Sequence, residues 1–339
     1  MDLRSDTLTQ PTEAMKEAMF QAQVGDDVYG EDPSINELQA YTADLFGKED
    51  ALFCASGTMC NQIAIRVSTQ PQDEVICDQR AHIYLYEGGG LMANSFVSVR
   101  LLEGDRSRLH AAQIEENINP DDVHFPRTSL VALENTANKG GGSIYTLSQI
   151  DAIQAVCDQH GLRLHLDGAR VMNACVAGGY RPRDMGARFD TISICLSKGL
   201  GAPVGSVLVG DKATIKQAKR VRKMLGGGMR QAGFLAAAGL YALQHHVERL
   251  EEDHIRAKRL GEFLENAGWV EDLMPVETNI VAFKPNPDAI STQALQTYLT
   301  SQGVYVSTFG PGYLRMVTHL HITDEMIQQV IQILEKAPV

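Results

Sequence analysis

Short apolar runs alternate along this chain with longer stretches in which apolar residues recur at helical spacing. Helical patterns begin near Gly57 and extend from Leu147 to His160, between runs that are rich in valine, isoleucine and leucine. Strands that alternate with helices predict a mostly parallel sheet with helices on both faces. The predicted strands cover residues 51–55, 73–78, 95–102, 129–135, 162–167, 190–196 and 205–210.

The pattern restarts after residue 268. A helical stretch from Gln231 to Ala267 precedes strands at 279–284, 304–308 and 313–320 and helices that begin at Thr292 and Thr323. We therefore predict an α/β fold with a large, mostly parallel, seven-stranded-type sheet domain over residues 1–245. A smaller α+β domain is predicted over residues 246–339, and the first residues could pack on either domain.

Composition narrows the class of partner. The chain has 339 residues, 44% of them hydrophobic, and a net charge of −12, which disfavours non-specific binding to nucleic acid or to anionic membranes. The six cysteines show no CxxC or zinc spacing, and neither a signal peptide nor a membrane span is evident. We expect a cytoplasmic protein with a small-molecule substrate, no metal site and no nucleic-acid or membrane partner.

Ser56, Gly57 and Thr58 open a helix directly after a predicted strand. Glycine lets the backbone approach a ligand, and a helix N-terminus offers free N–H groups to a phosphate. A plain serine or threonine N-cap is the alternative. Because no GxxxxGK[ST] sequence occurs, this is not the phosphate loop of a nucleotide-binding protein.

Asp167 and Lys198 both follow buried-type strands, so they are expected at the same edge of the sheet. A buried acid needs a cationic partner. Asp167 either pairs with Arg170 or holds a protonated ring nitrogen and leaves Arg170 for a carboxylate or phenolate. A phosphate site, a buried acid and a buried lysine together indicate pyridoxal 5′-phosphate, whose aldehyde forms a Schiff base with a lysine and whose pyridinium needs a carboxylate.

The histidines divide into candidates and structural residues. His82 follows the strand at 73–78 and could stack on a cofactor or accept a proton. His124 lies in a polar segment that could simply be surface. His165 alternates within a buried strand and is predicted to be structural. His319 and His321 have the spacing of a metal pair but lack evident further ligands, so a structural role is favoured.

Two arginines keep alternative interpretations. Arg230 follows a glycine run and could reach a phosphate, including that of a neighbouring subunit, or could be a solvated residue at a hinge. Arg315 lies on the predicted strand at 313–320 and could meet a substrate carboxylate across the cleft between domains. A surface arginine is the other interpretation of Arg315.

Ordered blocks of this sequence resemble the low-specificity L-threonine aldolases, which are fold-type I pyridoxal-phosphate enzymes. The resemblance runs over most of the chain and is densest from Asp2 to Gly239. It implies cleavage of L-threonine, L-allo-threonine and related β-hydroxy-α-amino acids to glycine and an aldehyde, by a homotetramer of tight dimers. The blocks are DLRSDTLTQPT, VGDDVYGEDPS, SGTMCN, LENT, HLDGAR, SICLSKGLGAPVGSVLVG, GGGMRQAG and LRMVTH.

The resemblance also implies a role for each candidate residue. Lys198 would bind the cofactor aldehyde, and Asp167 its pyridinium nitrogen. The phosphate would be held by Ser56, Gly57, Thr58 and, from the partner subunit, Arg230. His82 would stack on the ring as a candidate base, with His124 near the substrate hydroxyl. The substrate carboxylate would contact Ser5, Arg170 and Arg315, with Tyr29 and Tyr86 close to the β-substituent.

Two positions depart from the family pattern. Cys60 stands where the family usually has glycine or serine, and Ala137 stands where it commonly has histidine. The Ala137 change is expected to alter substrate preference or rate. Another fold-type I lyase, β-eliminating or similar to serine hydroxymethyltransferase, remains the alternative enzyme. A non-catalytic cofactor-binding protein is disfavoured by the intact Lys198 and Asp167.

Overall fold

A seven-stranded sheet forms the centre of the larger part of the computed structural model, which describes residues 1–338. The strand order is β1-β7-β6-β5-β4-β2-β3, and β7 alone runs antiparallel to its neighbours. This arrangement confirms the α/β fold and all seven predicted strands. The strands are β1 (Asp50–Cys54), β2 (Glu74–Asp78), β3 (Ser98–Leu102), β4 (Thr128–Glu134), β5 (Arg163–Gly168), β6 (Thr191–Cys195) and β7 (Ser206–Gly210).

A second sheet follows, with the order β10-β11-β9-β8 and antiparallel pairing throughout. Its strands are β8 (Val270–Leu273), β9 (Ile280–Pro285), β10 (Ser307–Gly310) and β11 (Tyr313–Val317). β8 was not predicted because its sequence, VEDL, is acidic and partly exposed. β10 begins later than predicted because Tyr305 instead pairs with the N-terminal segment, where its carbonyl accepts from the Leu3 amide at 2.8 Å.

Helices cover both faces of the large sheet and one side of the small one. They are α1 (Glu13–Phe20), α2 (Pro33–Phe46), α3 (Gly57–Ser68), α4 (His82–Leu85), α5 (Gly90–Ser95), α6 (Ala111–Glu115), α7 (Leu147–His160), α8 (Val171–Gly178), α9 (Pro182–Gly186), α10 (Lys212–Met224), α11 (Gly233–His245), α12 (Leu250–Glu265), α13 (Thr292–Ser301) and α14 (Asp324–Glu335). Short 3-10 helices lie at Asp6–Leu8 and Asp27–Tyr29.

The single helical stretch predicted over residues 231–267 is wrong, because the chain turns between α11 and α12. His246 is buried at this turn, and its Nδ1 donates to the carbonyl oxygen of Leu200 at 2.7 Å. Leu250, at the start of α12, joins the core of the large sheet, whereas Leu260 and Leu264 join the core of the small sheet. The boundary between residues 245 and 246 stays a prediction, since α12 contributes to both cores.

Local sequence signals explain where the elements near the large sheet begin and end. Thr146 and Gln149 form a reciprocal capping box at the start of α7, and Gly161 ends that helix with φ at +66°. β4 is buried along its whole length because helices cover both of its faces. Among residues 1–338, no helix has the length and apolar character that crossing a membrane requires.

The N-terminal segment packs on both parts of the molecule. Leu3 is fully buried in the core of the small sheet. A few residues later, the Thr9 hydroxyl donates to the carbonyl oxygen of Lys198 at 2.8 Å, on the large-sheet side. The segment therefore joins the two sheets, and the pocket described below opens beside it.

Candidate active site

A pocket of about 330 Å³ lies between the carboxyl ends of the parallel strands and the small sheet. Ligands bind at this edge in open α/β sheets, where loops from different strands converge. Its walls come from the N-terminal segment, the loops after β2, β4, β5 and β6, and strands β10 and β11. The lining residues are Ser5, Thr7, His82, Tyr86, Glu134, Asn138, Lys139, Ala169, Arg170, Lys198, Ser307, Thr308, Phe309 and Arg315.

Lys198 lines this pocket three residues after the end of β6. Its main chain is anchored to the N-terminal segment through the bond from Thr9. Gly201 has φ at +80°, a conformation that glycine adopts without strain, so the chain turns sharply behind the lysine. The sheet edge thus presents the Lys198 side chain to the cavity on a tightly fixed backbone.

Asp167 is buried at the end of β5 and does not itself line the pocket. Its carboxylate accepts from Asn61 Nδ2 at 3.0 Å and from the amide of Ala169 at 3.1 Å. Within residues 1–338, no lysine or arginine forms an ion pair with it, and the predicted alternative of a pair with Arg170 is wrong. A buried carboxylate is costly unless a cation compensates it. Asp167 therefore fits the protonated ring nitrogen of a pyridine cofactor.

Arg170 pairs instead with Asp6 of the N-terminal segment. Its Nε and Nη2 donate to the two carboxylate oxygens at 2.6 and 2.7 Å, and both side chains are buried. Burial alone would raise the pKa of Asp6, but the charge and hydrogen bonds of Arg170 outweigh it and lower the pKa to about 2. Asn279, from the small-sheet side, adds a bond to Asp6 at 3.2 Å. The pair fixes Arg170 in the pocket wall.

His82 begins α4, and its Nδ1 lies 3.0 Å from Glu87 Oε1. Burial would lower the pKa of His82, but the hydrogen bond to Glu87 and the charges of Asp167, Glu87 and Glu134 raise it. Potential ligand atoms of His82, Glu87 and Asp167 lie within 4.8 Å of one another. Asn61 donates to both acids, at 2.8 and 3.0 Å, so hydrogen bonds within the protein engage these carboxylates.

Arg315 crosses the pocket from β11. Its Nη1 donates to Asn138 Oδ1 at 2.8 Å and its Nη2 to the carbonyl of Arg4 at 3.0 Å, while Nε is buried without a partner. Its guanidinium lies over the Phe309 ring, 5.5 Å from the centroid. Burial, with a contribution from the charge of Arg170, lowers the pKa of Arg315 to about 10. The position carries uncompensated positive charge and suits an anionic ligand.

Ser5 and Tyr86 also line the pocket. The Ser5 hydroxyl accepts from the Thr7 amide at 3.2 Å. Tyr86 is half exposed, and its ring centroid lies 5.6 Å from that of His82. Ser5 flanks the cavity from the N-terminal segment of the chain, and Tyr86 flanks it from the segment after β2.

Ser56, Gly57 and Thr58 lie at the same sheet edge but outside the pocket lining. Ser56 caps α3 by accepting from the Met59 amide at 3.2 Å, so the N-cap interpretation holds for its side chain. Register places Cys54, at the end of β1, beside Ser206, which in turn pairs with Cys195 at the end of β6. The first turn of α3 therefore follows β1 at the same edge of the sheet at which Lys198 follows β6.

Three candidates lie away from this pocket in the same chain. The His124 side chain is 82% exposed and bonds to Asp122 at 2.7 Å. Arg230 pairs with Asp26 at 2.8 Å, and Tyr29 is 75% exposed. Tyr29 and Arg230 share one surface, because the Asp27 amide donates to the Arg230 carbonyl. Their proposed roles stay predictions.

The remaining histidines make hydrogen bonds within the fold. His165 is fully buried between Thr191 Oγ1 at 2.9 Å and Asn61 Oδ1 at 3.2 Å, and burial lowers its pKa to about 4. His319 Nε2 donates to the carbonyl of Asp2 at 2.9 Å. His321 Nε2 accepts from the amide of Gln10 at 2.8 Å. Neutral His165 thereby orients Asn61, whose side-chain amide donates a hydrogen bond to Asp167.

The two departures from the family pattern are buried. Cys60 packs with Cys54 in a core beneath β1 and β7. Ala137 is fully buried, and its amide donates to the carbonyl of Ser143 at 2.9 Å. Neither lines the pocket, and an effect of Ala137 on substrate preference stays a prediction.

Several residues of the site were missed in the sequence. Asn61 and Glu134 lie inside the quoted blocks SGTMCN and LENT, and Glu87 directly follows Tyr86 before a glycine run. Asp6 lies in the block that opens the chain. Their positions within or beside these blocks could have marked them as site residues. Their contacts could not be predicted, because spacing along the chain does not reveal which strands become neighbours.

A lysine on the pocket wall, a buried acid without a cation and an open helix N-terminus at one sheet edge define a pyridoxal-phosphate enzyme of fold-type I. The family model described as beta-eliminating lyase matches residues 2–286. The chain belongs to this family and, within it, to the low-specificity L-threonine aldolases.

The relatives match along nearly the whole chain. The low specificity L-threonine aldolase of Escherichia coli K12 is 42% identical over 331 residues, 97% of each chain. A probable low-specificity L-threonine aldolase 2 of Arabidopsis thaliana is 40% identical and covers 99% of this chain and 96% of its own. The solved structure of a Leishmania major threonine aldolase shares the fold, with a TM-score of 0.87 at 22% identity over 100% of this chain and 99% of its own.

Proposed function

We propose that this protein cleaves L-threonine, L-allo-threonine and related β-hydroxy-α-amino acids to glycine and an aldehyde, with pyridoxal 5′-phosphate as cofactor. Threonine would give acetaldehyde. The observation that carries this function is the full-length identity to curated L-threonine aldolases, at 42% over 97% of both chains. The site supports it independently, because the pocket lining combines the amine of Lys198 with two arginines, and the buried acid Asp167 lies at the same edge of the sheet.

The residues at the sheet edge fit the cofactor. Lys198 would bind it covalently through the ε-amine, and the first turn of α3 at Ser56, Gly57 and Thr58 would hold its phosphate. Asp167, oriented by Asn61, would keep a proton on the ring nitrogen. When bound, the cofactor supplies an aldehyde for the substrate's amino group and a ring that takes up the electron pair of the broken Cα–Cβ bond.

The two arginines would bind the substrate carboxylate. Arg170 has its Nε and Nη2 engaged by Asp6, so Nη1 remains for a ligand. Arg315 brings a second guanidinium from the small sheet, and the Ser5 hydroxyl lies beside the cavity. Two fixed guanidinium groups would orient the amino acid so that its Cα–Cβ bond is held in one direction.

His82 is proposed to stack on the cofactor and to take the proton of the β-hydroxyl group. With Nδ1 donating to Glu87, the ring presents a free lone pair at Nε2, where a proton can be accepted. Tyr86 lies beside His82 and would limit the size of the β-substituent. His124 is the other candidate base.

His124, Tyr29 and Arg230 would reach this pocket from a partner subunit. This proposal is supported by the high exposure of Tyr29 and by its common surface with Arg230. Val28, on the same 3-10 helix, adds an exposed apolar side chain. We propose a homotetramer built from tight dimers, in the cytoplasm, where six free cysteines would stay reduced.

Product analysis tests the function. The purified protein, loaded with pyridoxal 5′-phosphate, is incubated with L-threonine, L-allo-threonine and L-phenylserine, and aldehyde and glycine are both quantified. Equal amounts of the two products are expected from each substrate that is turned over. A 2-oxo acid with ammonia would indicate a β-eliminating lyase, and a requirement for folate would indicate an enzyme similar to serine hydroxymethyltransferase.

A further inference from the structure

Glu134 is a buried residue of the pocket wall at the end of β4, with both carboxylate oxygens in use. Oε2 accepts from the backbone amide of His82 at 2.9 Å. Oε1 accepts from the backbone amide of Asn138 at 2.8 Å. One side chain thereby joins the loop after β2 to the loop after β4, two segments that the sheet itself does not connect at this edge.

These two bonds lead to opposite walls of the pocket. His82 carries the ring proposed to stack on the cofactor. Asn138, through its side-chain oxygen, accepts from Nη1 of Arg315 at 2.8 Å. Glu134 is therefore two hydrogen bonds away from the guanidinium that crosses from the small sheet.

We propose that Glu134 is a positioning residue that couples His82 to Arg315. Its carboxylate fixes the backbone at His82 and at Asn138. It thereby holds the His82 ring, proposed to contact the cofactor, at a fixed distance and orientation from the Arg315 guanidinium, proposed to bind the substrate. The proposal rests on the proposed function for the identity of the substrate, but the contacts of Glu134 do not depend on it.

The arrangement requires a carboxylate. An ionised carboxylate accepts at both oxygens, whereas a glutamine offers one acceptor and turns an NH₂ group toward the other backbone amide. Burial, with the charge of Asp167 adding to it, raises the pKa of Glu134 to about 7. The two backbone hydrogen bonds oppose this rise, because they favour the ionised carboxylate.

Asp78 provides a matched control on the neighbouring strand. It ends β2, is buried, and accepts from the amides of Arg80 at 2.8 Å and Gly104 at 2.9 Å. Neither Arg80 nor Gly104 lines the pocket. Asp78→Asn thus makes the same change, from carboxylate to amide between two loop amides, but the Asp78 side chain makes no hydrogen bond to His82, Asn138 or Arg315.

The test compares Glu134→Gln with Asp78→Asn in two measurements. Apoenzyme is titrated with pyridoxal 5′-phosphate to give the Kd of the cofactor, and holoenzyme is assayed for the KM of L-threonine. We expect Glu134→Gln to raise each value by about tenfold, the effect of weakening one contact to each wall. Asp78→Asn should lower Tm and leave both values within about twofold. The proposal would be overturned if both variants lowered Tm equally and left the cofactor Kd and the KM of L-threonine unchanged.

A double-mutant cycle tests the connection to Arg315. Asn138→Ala removes the side-chain contact with Arg315 but keeps the backbone amide that Glu134 accepts. If Glu134 acts through Asn138, the double variant raises KM by less than the product of the single effects. If KM in the double variant rises by the full product of the two single increases, the coupling between Glu134 and Arg315 is contradicted. Should Glu134→Gln fail to fold, Glu134→Asp, with two acceptors on a shorter side chain, takes its place under the same criteria.

Failure of this proposal is distinguishable from failure of the proposed function. If wild-type protein does not cleave L-threonine, the function is wrong, and the cofactor Kd still measures the contact between Glu134 and His82. If wild type cleaves threonine but Glu134→Gln behaves like Asp78→Asn, the function stands and the positioning role is wrong.

Discussion

The two walls of the pocket are built differently. The large sheet supplies short, buried groups at strand ends, such as Asp167 and Glu134, which the backbone and neighbouring amides hold. The small sheet supplies a long side chain, Arg315, which reaches across and is fixed by contacts with Asn138 and Phe309. Under the proposed function, the large sheet supplies the groups for bond breaking and shares substrate binding through Arg170, whereas Arg315 of the small sheet contributes to substrate binding alone.

The largest effect is expected for Lys198→Ala on the large-sheet wall. Without the amine, the bound cofactor should lose its visible absorbance band, and nearly all turnover of L-threonine should disappear. Lys16→Ala, on the exposed surface of α1, serves as the control and should change neither quantity. A Lys198→Ala protein that kept both the band and the turnover would be incompatible with the proposed site.

The next largest effect is expected for Asp167→Asn. A neutral amide cannot keep a proton on the ring nitrogen, so kcat for L-threonine should fall by about 10²- to 10⁴-fold. The Asn61 contact can persist at the remaining side-chain oxygen, which limits the structural disturbance. Steady-state kinetics at saturating cofactor provide the measurement, and an unchanged kcat would remove Asp167 from the mechanism.

The ion pair between Asp6 and Arg170, which ties the N-terminal segment to the large-sheet wall, should weaken in acid and lower the stability of the fold. Since the pKa of Asp6 is lowered from 3.8 to about 2, its pair with Arg170 stabilises the fold fully above pH 3.8. This contribution, about 2 kcal/mol by the usual conversion, is lost as the pH falls through 2. Denaturant unfolding between pH 5 and pH 2 should show the loss in wild type.

Asp6→Asn should remove that part of the pH dependence and lower stability at neutral pH, because Arg170 would stay buried without its partner. Asp121→Asn, which changes an exposed acid, is the control and should follow wild type. Identical pH profiles for wild type and Asp6→Asn would contradict the role assigned to this pair.

The smallest effect is expected on the small-sheet wall, for Arg315→Lys. Lysine keeps the charge but lacks the planar fork that binds a carboxylate at two points. KM for L-threonine should rise by about tenfold while kcat changes little. A fall in kcat at constant KM would mean that Arg315 acts in bond breaking, and its assignment to substrate binding alone would be wrong.

The chain pattern was sufficient for the framework of the large-sheet wall. Each strand of that sheet is a separate apolar run, and Asp167 and Lys198 follow two of them, so their common edge could be inferred before any coordinates. Arg315 could be placed on a strand of the small domain, but its approach to the pocket and an exposed position were equally open until the family resemblance favoured the pocket. The sequence therefore predicted the position of the small sheet relative to the site less well than it predicted the edge of the large sheet where Asp167 and Lys198 lie.

Contacts between distant segments could not be read from the sequence. Arg170 pairs with Asp6, 164 positions away, because the N-terminal segment crosses between the sheets. Asn61 reaches Asp167 only because α3 packs beneath β5. The turn at His246 was also missed, since the residues on both sides favour a helix and only tertiary contacts break it.

Glycine binding tests the separate roles of Asp167 and Arg315 most directly, because glycine has the α-carboxylate of the substrate but no Cα–Cβ bond to break. Its Kd is measured by calorimetry on the holoenzyme forms of wild type, Asp167→Asn and Arg315→Lys. We predict a rise of about tenfold for Arg315→Lys and a change within about threefold for Asp167→Asn. Equal weakening in both variants, or weakening in Asp167→Asn alone, would contradict the separate roles assigned to these two residues.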